Sequence, residues 1–227
     1  MEIKEAMEKR HSVRQYLDRP LENEVVEVLN EEIARSNSLG GLHIQLVRDE
    51  PLAFSTGIFK YGVFSGVKNY LVMAGKNGKE NELKVGYYGE HLVLLAQTLG
   101  LNTCWVGLTF KEIKEAFTLS EGEKLYCVIA IGYGANQGTP HPGKDFDEYM
   151  EGRKDVPEWF ISGMEAVMLA PTAMNQRKFR FSFIGDRKVK ARTVFSLIGS
   201  SYLDIDLGIV RYHFEIGAGK ENFEWAE

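Results

Sequence analysis

The sequence of 227 residues predicts an α+β fold from three observations. Residues 82–99 carry apolar side chains at intervals of three and four, from Val85 to Leu99, which places one apolar stripe along a helix. Two continuous apolar runs, residues 70–74 and 125–132, are typical of buried strands. A connector rich in glycine and proline, residues 134–157, then separates a second succession of helix, loop and strand from the first.

The other elements before the connector follow from the same patterns. Helix-type spacing puts Val25, Val26, Leu29 and Ile33 on one face, and the pair Gly40-Gly41 breaks the chain before the next strand. Thr109 is a suitable N-cap for a short helix. We predict helices at 2–10, 22–35 and 110–117, strands at 42–47 and 104–108, and a loop at 51–66.

The second succession begins where Pro157 occupies the first turn of a helix. In the last helix, Ile205, Ile209 and His213 lie on one face. Charged residues alternate with apolar ones near residue 190, which favours a half-exposed strand there. The predicted elements are helices at 157–169 and 203–214, a loop at 170–178, and strands at 179–184 and 189–193.

Composition excludes several classes of protein. Lys and Arg total 27 and Asp and Glu total 32, so the net charge of −5 opposes binding to a nucleic-acid backbone. No apolar run reaches the ~18 residues of a membrane span, and residues 1–14 lack a signal-peptide core, so we expect a cytoplasmic protein. Cys104 and Cys127 are expected to be buried thiols, and the five histidines show no metal-ligand spacing. Motifs of dinucleotide-binding loops, P-loops and serine nucleophile elbows are absent.

Three segments could carry chemistry. Residues 9–14 hold three fixed cations and the hydroxyl of Ser12, which suits a phosphate group, although cations also favour the C-terminal end of a helix. Residues 170–176 combine small residues with polar ones and could form a ligand loop or an ordinary capped loop. Residues 100–107 end in Gly107, which would let backbone amides approach a ligand, or form a tight turn with Trp105 in the core.

Together these segments resemble the FMN-dependent nitroreductase family. Arg10-His11-Ser12-Val13-Arg14 resembles the Arg-Arg-Ser-x-Arg opening of the family. Residues 86–107 resemble its central dimer helix and the turn beyond. Ala-Pro-Thr-Ala-Met-Asn-Gln at 170–176 is similar to its Ala-Pro-Ser-x-x-Asn-x-Gln segment, one residue shorter. The resemblance implies a nitroreductase-like fold with mixed or antiparallel sheets flanked by helices.

The order of the motifs departs from that of ordinary family members. Those carry the Pro-Ser-x-x-Asn segment soon after the arginine motif and use it to reach the flavin of the partner chain. The resemblance implies a corresponding loop at residues 34–41, but here these residues lack the pattern, and the copy lies at 170–176. The resemblance therefore implies two degenerate halves in one chain, 1–150 and 151–227, in one globular unit. Such an internal pseudo-dimer would have one composite site per chain and exist as a monomer or a homodimer.

The resemblance also assigns residues to the cofactor FMN. No side chain need be catalytic, because flavin N5 carries the chemistry, and His11 in place of the usual second arginine weakens that contact or makes it depend on pH. No metal is implied. The residues implied around the ribityl phosphate are Arg10, His11, Ser12, Arg14 and Lys144. The residues implied on the two sides of the ring are Val106, Gly107 and Leu108, and Pro171, Thr172 and Asn175.

The implied activity is that of an oxidoreductase. NADH or NADPH would reduce FMN, and the flavin would then reduce a nitroaromatic, quinone or similar electron-poor small molecule in a ping-pong cycle. Two alternatives remain open at this point. One is an FMN-binding protein with other flavin chemistry or no turnover, and the other is a degenerate, non-catalytic module for interaction or sensing.

Overall fold

Five α-helices and eight strands make up the part of the chain that the computed structural model describes, which is residues 1–55, 63–140, 145–153, 155–195 and 200–226. In chain order they are α1 (Ile3–Lys9), α2 (Asn23–Gly40), β1 (Gln45–Val47), β2 (Tyr70–Lys76), α3 (Lys79–Thr98), β3 (Asn102–Val106), β4 (Glu123–Gly132), β5 (Met150–Glu151), α4 (Glu158–Leu169), β6 (Phe179–Gly185), β7 (Lys188–Thr193), α5 (Leu203–Ala218) and β8 (Glu224–Trp225). The predicted α+β fold is confirmed, with two sheets of four strands each.

The chain divides into two compact units. The first consists of Met1–Asn81 and His91–Pro140, and the second of Glu82–Glu90 and His141–Glu227. Helix α3 contributes its middle turns to the second unit and its C-terminal half to the first. None of the helices in the described ranges is long and apolar enough to cross a membrane.

The sheet of the first unit is antiparallel throughout, in the order β1-β2-β4-β3. Its central strands, β2 and β4, are continuous apolar runs because both of their faces are buried, and Leu71, Val72, Val128 and Ile129 have no exposed surface. Strand β3 pairs with β4 on one side only and so forms an edge of this sheet. That edge leaves backbone donors and acceptors for other segments of the chain.

The sheet of the second unit is mixed, in the order β5-β6-β7-β8. Strands β6 and β7 form an antiparallel hairpin, whereas β5 and β8 pair in parallel at the two edges. Helices α4 and α5 pack together in this unit around Phe214. Its ring lies 5.1 Å from that of Phe181 on β6, 5.3 Å from Phe160 on α4 and 5.1 Å from Phe223. Aromatic burial of this kind is the main stabilising term of such a core.

Residues 110–117 do not form the predicted helix. The segment has an irregular backbone with a turn and bends, and its apolar side chains, among them Phe110, Ile113 and Phe117, pack against the core of the first unit instead. The Lys111 amide donates to the carbonyl of Ala53, 2.7 Å away, rather than to a helical neighbour. Packing of these side chains therefore outweighs the local preference for a short capped helix.

The prediction of a loop at 34–41 is also wrong, because α2 continues to Gly40. Gly41 ends the helix in the left-handed conformation, φ 63°, with its amide donating to the carbonyl of Asn37. The Asn37 side chain then closes the turn, since its Nδ2 donates to the Ile44 carbonyl at 2.9 Å and its Oδ1 accepts from the Ile44 amide at 2.7 Å. The following strand is consequently shorter than predicted and begins at Gln45.

Candidate functional site

The cationic segment that follows α1 lies along the edge of the first sheet. Helix α1 ends at Lys9, and the amide of Arg10 caps it by donating to the carbonyl of Ala6. The chain is then extended, and the Val13 amide donates to the carbonyl of Thr103 on β3 at 3.0 Å. Arg10 is buried, Ser12 is half-buried and Arg14 is exposed. The edge strand thus fixes the backbone from which these three side chains project.

The three polar side chains influence one thiol. Burial raises the pKa of Cys104 on β3, and the Arg14 charge, a hydrogen bond with the Ser12 side chain and the Arg10 charge each act to lower it. The backbone pairing agrees with this placement, because Ser12 and Thr103 form a parallel bridge beside Cys104. The structure therefore places Arg10, Ser12 and Arg14 on one segment along the edge of β3.

A glycine-containing segment, residues 134–138, covers this region within the same unit. The Gly134 amide donates to Oδ1 of Asn102 at 3.0 Å, and Nδ2 of Asn102 donates to Gln137 Oε1 at 3.0 Å. Gly138 has φ 75°, and a Cβ there would lie 2.6 Å from the Cβ of His11. Only glycine accommodates both the backbone and this contact. Lys144, predicted to join the phosphate site, lies outside the described residues.

The predicted flavin-edge segment lies where β3 ends. The Val106 side chain is buried in the core of the first unit, opposite Val128 on β4. Gly107 follows in a bend, and the Leu108 side chain is 77% exposed. The contact of these backbone amides with a flavin stays a prediction.

The loop of the second unit that follows α4 holds the other predicted residues. Pro171 is buried, Thr172 is half-buried and Asn175 is exposed. A short 3-10 turn, Ala173–Asn175, begins with the Ala173 amide donating to both carboxylate oxygens of Asp206 on α5, at 2.9 and 3.1 Å. The structure thus anchors Pro171, Thr172 and Asn175 in one loop. Their meeting with the cationic segment in a composite site stays a prediction of the sequence.

Asp206 gives this loop a pH-dependent anchor. Burial raises its pKa from 3.8 to about 7, against the opposing effect of the hydrogen bond from the Ala173 amide. The folded state therefore binds this proton more tightly than the unfolded chain does. The stabilisation that comes from protonated Asp206 is fully present below about pH 4 and is lost as the pH rises through about 7.

Asp206→Asn is therefore expected to remove part of the pH dependence of stability. The amide oxygen of asparagine can still accept from the Ala173 amide, without a buried charge. Between pH 5 and pH 6.5 the wild type should lose about 2 kcal/mol more unfolding free energy than the variant does. Urea denaturation at the two pH values measures this difference, and equal losses in both proteins would contradict the assignment.

The residues that fix these segments from a distance were not predicted from the sequence. Tyr16 is buried, and its hydroxyl donates to the Val13 carbonyl at 2.8 Å, which shapes the chain beside the arginines. For Asp206, the sequence offers one signal of burial, since this acidic residue stands between apolar neighbours in the last helix. No group of three potential metal-ligating side chains occurs in the ranges that the structure describes.

Solved structures place the fold among the nitroreductases. A "putative nitroreductase" from Thermotoga maritima MSB8 matches with a TM-score of 0.65 and 20% identity over 97% of this chain and 85% of that chain. An "FMN-dependent Nitroreductase" from Clostridium difficile R20291 matches with a TM-score of 0.52 and 17% identity over 66% of this chain and 98% of that chain. A "Putative NADH dehydrogenase/NAD(P)H nitroreductase" from Bacteroides thetaiotaomicron VPI-5482 matches with a TM-score of 0.51 and 20% identity over 63% of this chain and 92% of that chain. The fold is therefore nitroreductase-like.

The family follows from the sequence itself. The family model described as "Putative TM nitroreductase" matches residues 2–218. The chain therefore belongs to this nitroreductase family, and the resemblance drawn from its three motifs is confirmed at the level of the family. No curated protein matches the chain. The arrangement of two degenerate halves in one chain, divided near residue 150, stays a prediction.

Proposed function

We propose that this protein is an FMN-dependent oxidoreductase that uses NADH or NADPH to reduce an electron-poor small molecule such as a nitroaromatic or a quinone. The observation that carries the proposal is the placement of Arg10, Ser12 and Arg14 on one segment along the edge of β3, in a chain that belongs to a nitroreductase family. A solved structure of similar fold is named as an FMN-dependent nitroreductase, which supports the choice of cofactor.

The donor set at β3 fits the phosphate of FMN. Two guanidinium groups and one hydroxyl provide charge-assisted and neutral hydrogen bonds, and arginine in particular matches phosphate oxygens with two parallel donors. The exposed Arg14 is accessible to a ligand from solvent, and Arg10 adds a buried charge on the same segment. His11, which packs against Gly138, would make a weaker contact.

The roles of the chain's residues in this proposal are to bind and to orient. Arg10, Ser12 and Arg14 would hold the phosphate, with His11 and Lys144 beside them. The backbone of Val106, Gly107 and Leu108 and the loop residues Pro171, Thr172 and Asn175 would contact the ring. FMN supplies the hydride chemistry when bound, so no side chain of the protein has to act as acid or base.

The absorbance spectrum of the purified protein tests the proposal directly. A flavin spectrum that is lost on anaerobic addition of NADH or NADPH, and restored by a quinone or a nitroaromatic compound, is the expected result. A flavin spectrum that neither nucleotide changes would indicate FMN binding with other chemistry or no turnover. A protein that takes up no FMN when it is added in excess would contradict the proposal and favour the non-catalytic alternative.

Arg14→Ala is expected to weaken FMN binding by roughly 10- to 100-fold, because a lost charge-assisted hydrogen bond costs about 1.5–3 kcal/mol. Arg14 is exposed, so its replacement should leave the fold intact, whereas Arg10→Ala removes a buried group and needs a check by circular dichroism. Flavin fluorescence titration gives the dissociation constants.

Two controls separate phosphate binding from a general effect of charge. Arg35→Ala removes an exposed arginine from α2 and should leave FMN affinity unchanged. Riboflavin, which lacks the phosphate, should bind the wild type and Arg14→Ala about equally. If Arg14→Ala and a folded Arg10→Ala both bind FMN as the wild type does, the phosphate assignment is wrong.

A further inference from the structure

The loop after α4 contains a buried arginine that the proposed function does not use. Arg177 is 7% exposed, and its Nη2 donates to the carbonyl of Met168 at 3.1 Å. The other terminal nitrogen, Nη1, is buried and has no hydrogen-bond partner among the described residues. Buried guanidinium nitrogens normally donate to an acceptor, so an open one indicates a missing partner.

Within the described ranges, the charge of Arg177 also lacks a balancing carboxylate. No acidic side chain of the described ranges forms an ion pair with it, and the buried carboxyl group of Asp206 on α5 accepts from the Ala173 amide of the loop instead. The carbonyl of Met168 lies in the last turn of α4, where the helix dipole contributes about half a negative charge. That contact balances the arginine only in part. A buried cation with one unpaired donor is suited to an anion.

The backbone of the loop is held in a costly conformation around this group. Met174, Asn175 and Arg177 all have positive φ, at 51°, 54° and 51°, a backbone conformation that residues other than glycine rarely adopt. Thr172 Oγ1 accepts from the Arg177 amide at 3.2 Å and fixes the end of the turn. Strain of this kind persists where the surroundings impose it, and it concentrates at ligand sites.

We propose that Arg177 is an anion-binding residue, and that its open Nη1 receives a carboxylate of the small-molecule electron acceptor. The inference rests on the proposed function, because that function places Thr172 and Asn175 of the same loop beside the reacting ring. A single buried guanidinium balances one negative charge, which matches a carboxylate. A phosphate dianion is better served by a set of cations like that at β3. The acceptors that the protein prefers are therefore electron-poor molecules that carry a carboxylate, such as nitrobenzoates.

Binding of simple probes tests this without any turnover. Isothermal titration calorimetry of the protein as purified, with benzoate and with its neutral analogue benzamide, should show at least tenfold tighter binding of benzoate. Arg177→Met should reduce that preference to less than twofold. Arg180→Met is the matched control, because Arg180 is a nearby half-buried arginine whose Nη1 already donates to the Phe179 carbonyl at 2.7 Å. It should retain the preference.

Each other outcome of the titration decides against the inference. Equal binding of benzoate and benzamide to the wild type would mean that Arg177 only caps α4, and this result needs no variant. Inorganic phosphate binding more tightly than benzoate, with the binding lost in Arg177→Met, would overturn the carboxylate assignment. If Arg177→Met does not fold, Arg177→Lys replaces it, because lysine keeps the charge without the planar guanidinium group. In Arg177→Lys the tenfold preference for benzoate should fall to about threefold or less, and an unchanged preference would contradict the inference.

Turnover provides the second readout. The wild type should use 4-nitrobenzoate with a kcat/KM at least tenfold above that for 4-nitrobenzamide. Arg177→Met should lower only the value for the acid, through KM. An unchanged ratio in that variant would contradict the inference. Failure of the proposed function is distinguishable, because a protein without flavin reduction by NADH or NADPH would show neither activity while its benzoate titration still reports on Arg177.

Discussion

Gly208→Ala is expected to destabilise the protein by about 3 kcal/mol or more, although alanine normally stabilises a helix by up to ~1 kcal/mol relative to glycine. In the second unit, α5 crosses α3 at this glycine. A Cβ on Gly208 would lie 2.0 Å from the Leu83 carbonyl oxygen and 2.7 Å from the Tyr87 amide nitrogen, both backbone atoms of α3. Backbone atoms cannot rotate away as a side chain does, so the two helices would have to separate.

The opposite glycine gives an internal check of this crossing. A Cβ on Gly86 of α3 would lie 1.9 Å from the Ile205 carbonyl oxygen of α5, so Gly86→Ala should be about as costly as Gly208→Ala. Since both variants separate the same helices, the double variant should cost clearly less than the sum of the two. Thermal unfolding measures the effects, expected as a fall in Tm of roughly 6–12 °C for each single variant.

Ser38→Ala on the exposed side of α2 is the control for a helix substitution without a close contact, and its Tm should change by no more than about 1–2 °C. A Tm in Gly208→Ala equal to or above that of the wild type would contradict the close crossing of α3 and α5.

The elements with a strong apolar period could be predicted from the sequence. The stripe from Val85 to Leu99 and the runs at 70–74 and 125–132 lie in α3, β2 and β4 as expected, because burial dictates both the pattern and the element. The error at 110–117 has the opposite cause. Its apolar residues satisfy helical spacing, yet the core of the first unit takes them up from an irregular backbone. Local spacing cannot distinguish these two ways of burying the same side chains.

The candidate site likewise contains residues that a local pattern predicts and residues that only distant contacts define. Arg10, Ser12 and Arg14 are neighbours in sequence, so one contiguous motif is enough to identify them. Asp206 and Arg177 become meaningful only through what they contact, the Ala173 amide and the Met168 carbonyl. Likewise, nothing in the sequence places Gly86 against α5. Contacts that join distant segments leave no local pattern, and these residues could not have been predicted.

Substitution within a buried pair of the second unit is the other change with a large expected effect on stability. Glu90 on α3 and His213 on α5 have no exposed surface, and Oε1 of Glu90 lies 2.9 Å from Nε2 of His213. The other ring nitrogen, Nδ1, lies 3.1 Å from the carbonyl oxygen of Ala166 on α4, which can only accept. Nδ1 must therefore carry a proton, and a second proton must lie between Nε2 and the carboxyl group. The pair is neutral as a whole, either as two ions or as two uncharged groups.

Glu90→Ala is expected to cost about 3–5 kcal/mol of unfolding free energy, because it leaves the buried imidazole without its partner. Glu90→Gln should cost less than about 1.5 kcal/mol, since the glutamine amide can donate to Nε2 of a neutral His213 while Nδ1 still donates to Ala166. Urea denaturation of the two variants gives both values. NMR of the imidazole nitrogens in Glu90→Gln should show Nδ1 protonated and Nε2 unprotonated. A cost for Glu90→Ala no larger than that of Glu90→Gln would show that the carboxyl group does not hold the imidazole in place.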